Sequence, residues 1–352
     1  MSHIIGLMSG TSLDGLDIVY CCFDKTNSKW TFKITVSETV SYPDEIKRLL
    51  IDSFYSPADI IAENDWLYGK YLGRQVNIFC DKWNIQPDYI ASHGHTIFHR
   101  PDLSYTLQIG NGQAIADETG ITVINDFRSQ DINLGGQGAP LVPIGDELLF
   151  GQYDYCLNIG GFSNISFNKA GKRIAYDISP ANMLINHLCN IINLDYDKDG
   201  KIAESNHVDS HLLHELNTLD YYNKPYPKSL GKEWFDSNII PIIKKYQSVL
   251  TVEDLIATAT EHVATQISNN ITAHKTVLCT GGGAHNKHLI NIIRILSDAN
   301  IIIPDDTITD YKEALIFAFM AALRINNENN VFATSTGAKY DHCAGIITTP
   351  AN

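Results

Sequence analysis

The stretch IIGLMSGTSLDGLDIVYCCF, residues 4–23, sets a turn of small and hydroxylated residues between two apolar runs. Residues 4–8 and 18–23 read as strands, and residues 9–15 as the turn that joins them. A plain hairpin turn needs one glycine, here Gly15 after Asp14. This turn adds Gly10 and three hydroxyls, on Ser9, Thr11 and Ser12. Small residues let backbone N–H groups close on an anion, and hydroxyls donate as well. The turn therefore reads as a phosphate loop. It is not a Walker loop, because Leu16 and Asp17 stand where Lys and Ser/Thr are required.

Outward from this turn, residues 30–36 alternate like a third antiparallel strand, and residues 43–54 and 57–83 read as helices. Short strands are expected at 89–92, 106–109 and 121–124. The run GGQGAPLVP at 135–143 is the best candidate for a domain boundary. The second half then repeats the grammar of the first. Strand 155–159, the pair Gly160-Gly161, and strands 164–167 and 173–177 form another meander. Helices are expected at 181–192, 208–222, 237–246 and 251–271. A buried strand at 276–279 runs into Gly281-Gly282-Gly283 and a helix at 286–296, followed by strand 301–303 and helix 311–325. This doubling predicts two related α/β lobes with a cleft between them.

Composition narrows the function. The chain has 352 residues, 26 Lys and Arg against 40 Asp and Glu, and a formal charge of −14. That balance argues against a nucleic-acid partner. No apolar run reaches the roughly 20 residues of a membrane helix, and no signal peptide is visible. Seven scattered cysteines without a C-x-x-C pair fit reduced thiols, and the expected location is the cytoplasm.

Three further features carry chemistry. Asp177, in YDISPAN, lies at a strand end before a helix, where a carboxylate can act as a general base; a helix-capping or turn aspartate is the alternative. His93-Gly94-His95 follows a strand, and alternate residues there share a face, as in metal-dependent hydrolases. No matching series of carboxylates and histidines follows, so a substrate hydrogen-bonding role is the better reading. DYDKDG, from Asp195, imitates a calcium loop, but Asn206 stands where the bidentate Glu belongs, and an acidic turn is the default.

In combination these motifs resemble the anhydro-N-acetylmuramic acid kinase family. The likeness runs in order through IGLMSGTSLDGLD (5–17), SHGHT (92–96), TLQIG (106–110), NDFR (125–128), GGQGAPLVP, NIGGFSN (158–164), YDKDG (196–200), PKSLGKEWF (227–235), GGGAHN (281–286) and KEAL (312–315). It covers essentially the whole chain. The resemblance implies the actin-like ATPase fold, an α/β architecture of two ribonuclease-H-like lobes with an inter-lobe ATP cleft. Together with the turn composition, it sets the lobes at 1–134, completed by 327–352, and 135–326. It implies an ATP-dependent kinase with Mg²⁺ that opens the 1,6-anhydro ring with water and phosphorylates O6, in peptidoglycan recycling.

The same resemblance sets the expected site. Gly10, Thr11, Ser12, Leu13, Asp14, Gly15, Leu16 and Asp17 form the ATP phosphate loop, and Gly160, Gly161 and Asn164 flank the phosphates. Gly281, Gly282 and Gly283 lie near the adenosine. Asp177 is the catalytic base. Ser9, His93, Arg128, Asn182 and Glu313 contact the amino-sugar substrate. Homodimerisation stays open. Ser179 and Ala181 replace two glycines of the family pattern beside the base. Another sugar kinase of this fold, or an actin-like or Hsp70-like ATPase, is the competing function; the two lobes leave no residues for a peptide-binding region.

Overall fold

The computed structural model describes residues 1–10, 13–100 and 103–351. Two compact units emerge, Met1–Leu149 with Tyr311–Asn352, and Phe150–Asp310. The first carries strands β1 (Ser2–Ser9), β2 (Leu16–Thr26), β3 (Lys29–Val40), β4 (Tyr89–Arg100), β5 (Tyr105–Ile109) and β6 (Thr122–Asn125). The second carries β7 (Tyr155–Ile159), β8 (Phe162–Lys169), β9 (Lys172–Pro180), β10 (Thr276–Thr280) and β11 (Asn300–Ile302). The chain then returns to the first sheet with β12 (Ile346–Thr348).

The first sheet runs β12-β6-β4-β1-β2-β3, with β5 on β4, and the second runs β11-β10-β7-β8-β9. In each, three antiparallel strands come first and two parallel strands follow on the other side of the opening strand. This shared order is the ribonuclease-H-like arrangement, and it makes the chain an actin-like α/β protein with two related sheets. Parallel neighbours need long crossovers. Helices α1 (Asp44–Ser53) and α2 (Ala58–Trp83) carry the chain from β3, at one edge, back to β4 beside β1, and α3 (Gly112–Thr119) leads into β6.

Position in the sheet explains composition. Strand β1 is central, so Ile4, Ile5 and Leu7 are all at most 1% exposed. In the second unit, α4 (Asn182–Ile191), α5 (Lys232–Tyr246), α6 (Val252–Ser268) and α7 (Lys287–Ser297) follow, and α4, α6 and α7 pack into one core with Leu157, Ile165 and Cys279. Helix α8 (Asp306–Ile325) brings the chain back to the first unit. A Cβ on Gly6 would overlap the Ala314 carbonyl oxygen, so this glycine lets α8 lie directly on β1.

The expected boundaries at 134/135 and 326/327 give way to divisions at 149/150 and 310/311. The glycine run at 135–143 is fastened rather than hinged. Gly138 N–H donates to the buried Asp131 carboxylate at 2.7 Å, and Gln137 N–H donates to Thr336 O at 2.8 Å. Residues 311–326 join the first unit because α8 packs there, with Ile316 filling the space beside Gly145.

Strand β4 also differs from expectation. It does not end at Ser92 but continues to Arg100. It pairs parallel with β6 up to Ser92 and with β1 up to His95, and from His95 onward it pairs antiparallel with β5. Gly94 sits at this change of partner with φ +73°, and a Cβ there would lie 2.6 Å from Ile109 O.

Candidate active site

In the first unit the site is built on the ends of β1, β4 and β6. Thr11 and Ser12 lie outside the described residues. Leu13 closes the turn with its N–H on Gly10 O at 3.2 Å and φ 60°. Asp14 is exposed. Leu16 is a core residue, 1% exposed, and Gly15 is dictated by packing, since a Cβ there would lie 2.7 Å from Val40 O. Asp17 accepts the Thr39 hydroxyl at 2.6 Å. Ser9 was expected against the sugar, yet it is 2% exposed and its hydroxyl meets two protein partners, Tyr42 and His95. Its side chain points inward because Ser9 closes the buried face of β1.

His93 is buried, and both of its ring nitrogens are engaged. Nδ1 lies 2.9 Å from Gly94 O, while Nε2 lies 3.2 and 2.8 Å from Nε and Nη2 of Arg128. A guanidinium can only donate, so Nε2 accepts and Nδ1–H donates to the carbonyl. Burial, with Arg128 beside it, holds the imidazole well below its ordinary pKa, so His93 is neutral at pH 7. Arg128 also donates through Nη1 to Gly138 O at 2.6 Å. Three of its five N–H groups are thus used, and two remain for a ligand. Burial pulls Arg128 down to about 10, against the pull of Glu313 and Asp131. Burial raises Glu313, with Lys312 and Arg128 opposing.

Beside His93 is a polar cavity of about 170 Å³, lined by Ser92, Gln108, Asn111, Asn125 and Asp126 among others. Ser92 is 1% exposed and its hydroxyl has no hydrogen-bond partner among the described residues. Sequence reasoning quoted Ser92 within SHGHT and gave it no role. The two histidines of that motif are held apart in role. Each is tied to different partners, and no group of three or more His, Cys, Asp or Glu able to hold a metal exists among the described residues.

In the second unit the ends of β7, β8 and β9 align three polar side chains. Asn158 pairs with Asn164, and Asn164 with Asp177. Their neighbours Leu157, Ile165 and Tyr176 point into the core, so the polar row lies on the opposite face. Asp177 Oδ2 accepts Leu230 N–H at 2.8 Å, its N–H reaches Lys228 O at 3.3 Å, and its carbonyl accepts the Tyr221 hydroxyl at 2.7 Å. Oδ1 has no such partner among the described residues. Burial pushes the carboxyl up to about 6, and only the Leu230 N–H opposes it. Lys228 does not neutralise it, because that ammonium sits 4.7 Å from the Tyr221 ring centre and faces two carbonyls.

The glycine turns around this row divide by cause. Gly281 has φ +85°, and a Cβ on Gly283 would overlap Ile159, so the fold demands both. At Gly160, Gly161 and Gly282 the nearest atoms to a Cβ would be 3.5, 3.8 and 3.7 Å away. No described residue fills that space. Gly160 and Gly161 carbonyls accept from Asn182 N–H at 3.1 Å and Met183 N–H at 3.1 Å, which caps α4. Asn182, expected near the sugar, donates to Ile159 O at 3.3 Å and so stands between the glycine turns. The Gly281–283 run does not itself open a helix. It forms a 3₁₀ turn, Gly282–His285, and α7 starts later under an Asn286 cap. Asn158 was missed: its carboxamide borders Gly160 and Gly281, is half-buried and makes no hydrogen bond to the described residues.

At the replaced glycines, Ser179 and Ser163 hydroxyls lie 3.0 Å apart and Ala181 N–H donates to Gly161 O at 2.8 Å. The acidic turn is a cap, with Asp197 accepting from Ile202 and Ala203 N–H and Asp199 paired to Lys287 at 3.0 Å.

The sequence model of one family, described as anhydro-N-acetylmuramic acid kinase, matches residues 2–350. An anhydro-N-acetylmuramic acid kinase of Clostridioides difficile is 36% identical, over 98% of this chain and 98% of that protein. One from Aliivibrio fischeri is 36% identical over the full length of both. Among solved structures, component A of (R)-2-hydroxyglutaryl-CoA dehydratase from Acidaminococcus fermentans aligns over 90% of this chain and 96% of its own. Its identity is 13% and its TM-score 0.48.

Proposed function

The chain belongs to the anhydro-N-acetylmuramic acid kinase family, and on that premise we propose how its residues carry out the reaction. It is a kinase of cell-wall recycling, a phosphotransferase that uses ATP and takes an alcohol group of a small amino sugar as acceptor. In our reading, water attacks C1 of the anhydro sugar and gives one proton to Asp177. The C1–O6 bond breaks, and O6 forms its bond to the γ-phosphorus as ADP leaves. One base suffices, because phosphorus captures the departing O6 in place of a proton.

Asp177 carries this proposal. Its free Oδ1 and its pKa of about 6 suit a base that is ionised at pH 7 yet basic enough to take a proton. Arg128, held by His93 and Gly138, offers its two spare N–H groups to the sugar, with Glu313 as a further partner. The loop containing Gly10, Leu13 and Asp14, the turn at Gly160 and Gly161 with Asn164, and Gly282 receive the nucleotide. Asn182 joins this set. Leu16 and Ser9 support the loop from beneath. Mg²⁺ fits best as a cation carried on the triphosphate, since the described residues offer no cluster of hard ligands; it would neutralise charge on the phosphate oxygens. We place the protein in the cytoplasm, where ATP is available. No helix among the described residues is long and apolar enough to cross a membrane.

The test is product analysis by mass spectrometry with ATP, Mg²⁺, anhydro-N-acetylmuramic acid and ¹⁸O water. One heavy oxygen is expected on C1 of a sugar 6-phosphate, sampled before anomeric exchange. Label in inorganic phosphate with the sugar unchanged would sink the kinase reading.

A further inference from the structure

Four side chains beneath the phosphate loop form one buried hydrogen-bonded line. The Tyr42 hydroxyl donates to Ser9 Oγ at 2.7 Å, Ser9 Oγ lies 2.8 Å from His95 Nδ1, and the Tyr42 and Tyr68 hydroxyls are 2.8 Å apart. Tyr42 and Tyr68 are 4% and 0% exposed, and His95 is 5% exposed. Each hydroxyl has one hydrogen, and this orders the line. Tyr42 spends its hydrogen on Ser9, so Tyr68 donates to Tyr42 and Ser9 donates to His95 Nδ1. His95 is then the Nε2–H tautomer, neutral because burial lowers its pKa to about 4.

The placement of this line matters more than its length. Ser9 is the last residue of β1, directly before Gly10. The β1–β4 ladder shifts register between Leu7 and Ser9, and Ser9 is paired with His95 across that shift. Where the backbone ladder is irregular, the side-chain bond holds the start of the loop onto β4, two residues beyond His93. Hydrogen bonds aligned in one direction in a dry site polarise one another and resist rotation of any member.

We propose that Tyr42 is a positioning residue for the phosphate loop, acting through Ser9 to fix where the loop leaves β1. The proposal rests on the reading of that loop as a nucleotide site. Tyr42→Phe and Ser9→Ala should each lower kcat/KM for ATP about tenfold, with KM for the sugar changed by less than about twofold, as loss of one oriented hydrogen bond predicts. Because both act through one bond, Tyr42→Phe with Ser9→Ala should be no worse than the weaker single variant. Tyr68→Phe, which leaves the Tyr42–Ser9 bond in place, should lower kcat/KM for ATP by less than Tyr42→Phe does. All variants are compared for secondary structure and melting temperature in the full chain.

Two results overturn the proposal: unchanged ATP kinetics in a folded Tyr42→Phe protein, or losses that multiply in the double variant. A merely structural Tyr42 would lower the melting temperature and leave the two KM values in their original ratio. Failure of the underlying reading looks different, because Gly10→Val, a change in the loop itself, would then leave KM for ATP unchanged.

Discussion

Burial drives His93 at the middle of β4 and Asp177 near the end of β9 toward their neutral forms, with opposite consequences. For the imidazole the pKa falls well below its ordinary value, and for the carboxyl it rises to about 6. His93 has spent both nitrogens, on Gly94 O and on Arg128, so it can neither take nor give a proton. Asp177 keeps one oxygen open and titrates near neutrality. On the proposed mechanism, a perturbed titration marks the base only where a lone pair is left for the substrate.

The largest expected effect tests that distinction directly. Asp177→Asn should lose at least about a hundredfold in turnover, as removal of a general base does. It should melt no lower than the parent at pH 7. The folded pKa of Asp177 is raised, so its contribution to stability is present at low pH and is lost as pH rises through about 6. At pH 7 the native state therefore holds a poorly solvated charge that Asn does not have. His93→Ala should behave differently, with KM for the sugar raised about thirtyfold and kcat within about fivefold, as expected for an Arg128 that loses its support. If its kcat falls as far as that of Asp177→Asn, the comparison collapses.

The glycine run sharpens the same point on a smaller scale. Gly282→Val should weaken ATP binding about tenfold by calorimetry without altering the melting temperature, because a side chain there enters space the protein leaves open. Gly283→Ala should instead cost about 1–3 kcal/mol of stability, since its Cβ would overlap Ile159. The smallest effect is on pH. As pH falls below about 6, kcat/KM should decline about tenfold per unit, while between about pH 6 and 7.5 it changes only about twofold. A flat profile down to about pH 5 would remove Asp177 from the proton transfer.

Much of the fold was legible because its signals are local. The strand–turn–strand at residues 4–23 and its echo at 155–177 are written in apolar runs and turn residues, and both meanders appear as read. The unit boundaries were not legible. Nothing in GGQGAPLVP shows that a buried aspartate a few residues earlier, Asp131, binds the run down. The pairing of Asn164 with Asp177 was hidden by the register shift next to Ser163, which no alternation pattern carries. Ser9 was read as a ligand group because its partners, Tyr42 and His95, lie 33 and 86 residues away. Sequence shows which residues can donate; only the packed sheet shows to whom.

The second unit is inserted within the first, and this imposes an order on synthesis. Residues 150–310 hold all five strands of their own sheet, so this unit can close while the ribosome is still adding residues 311–352. The first unit cannot. Its central strand emerges at once, but the helix that covers Gly6 and the strand that edges β6 arrive only with residues 306–348. Until then the apolar face of β1 at Gly6 has no α8 to cover it.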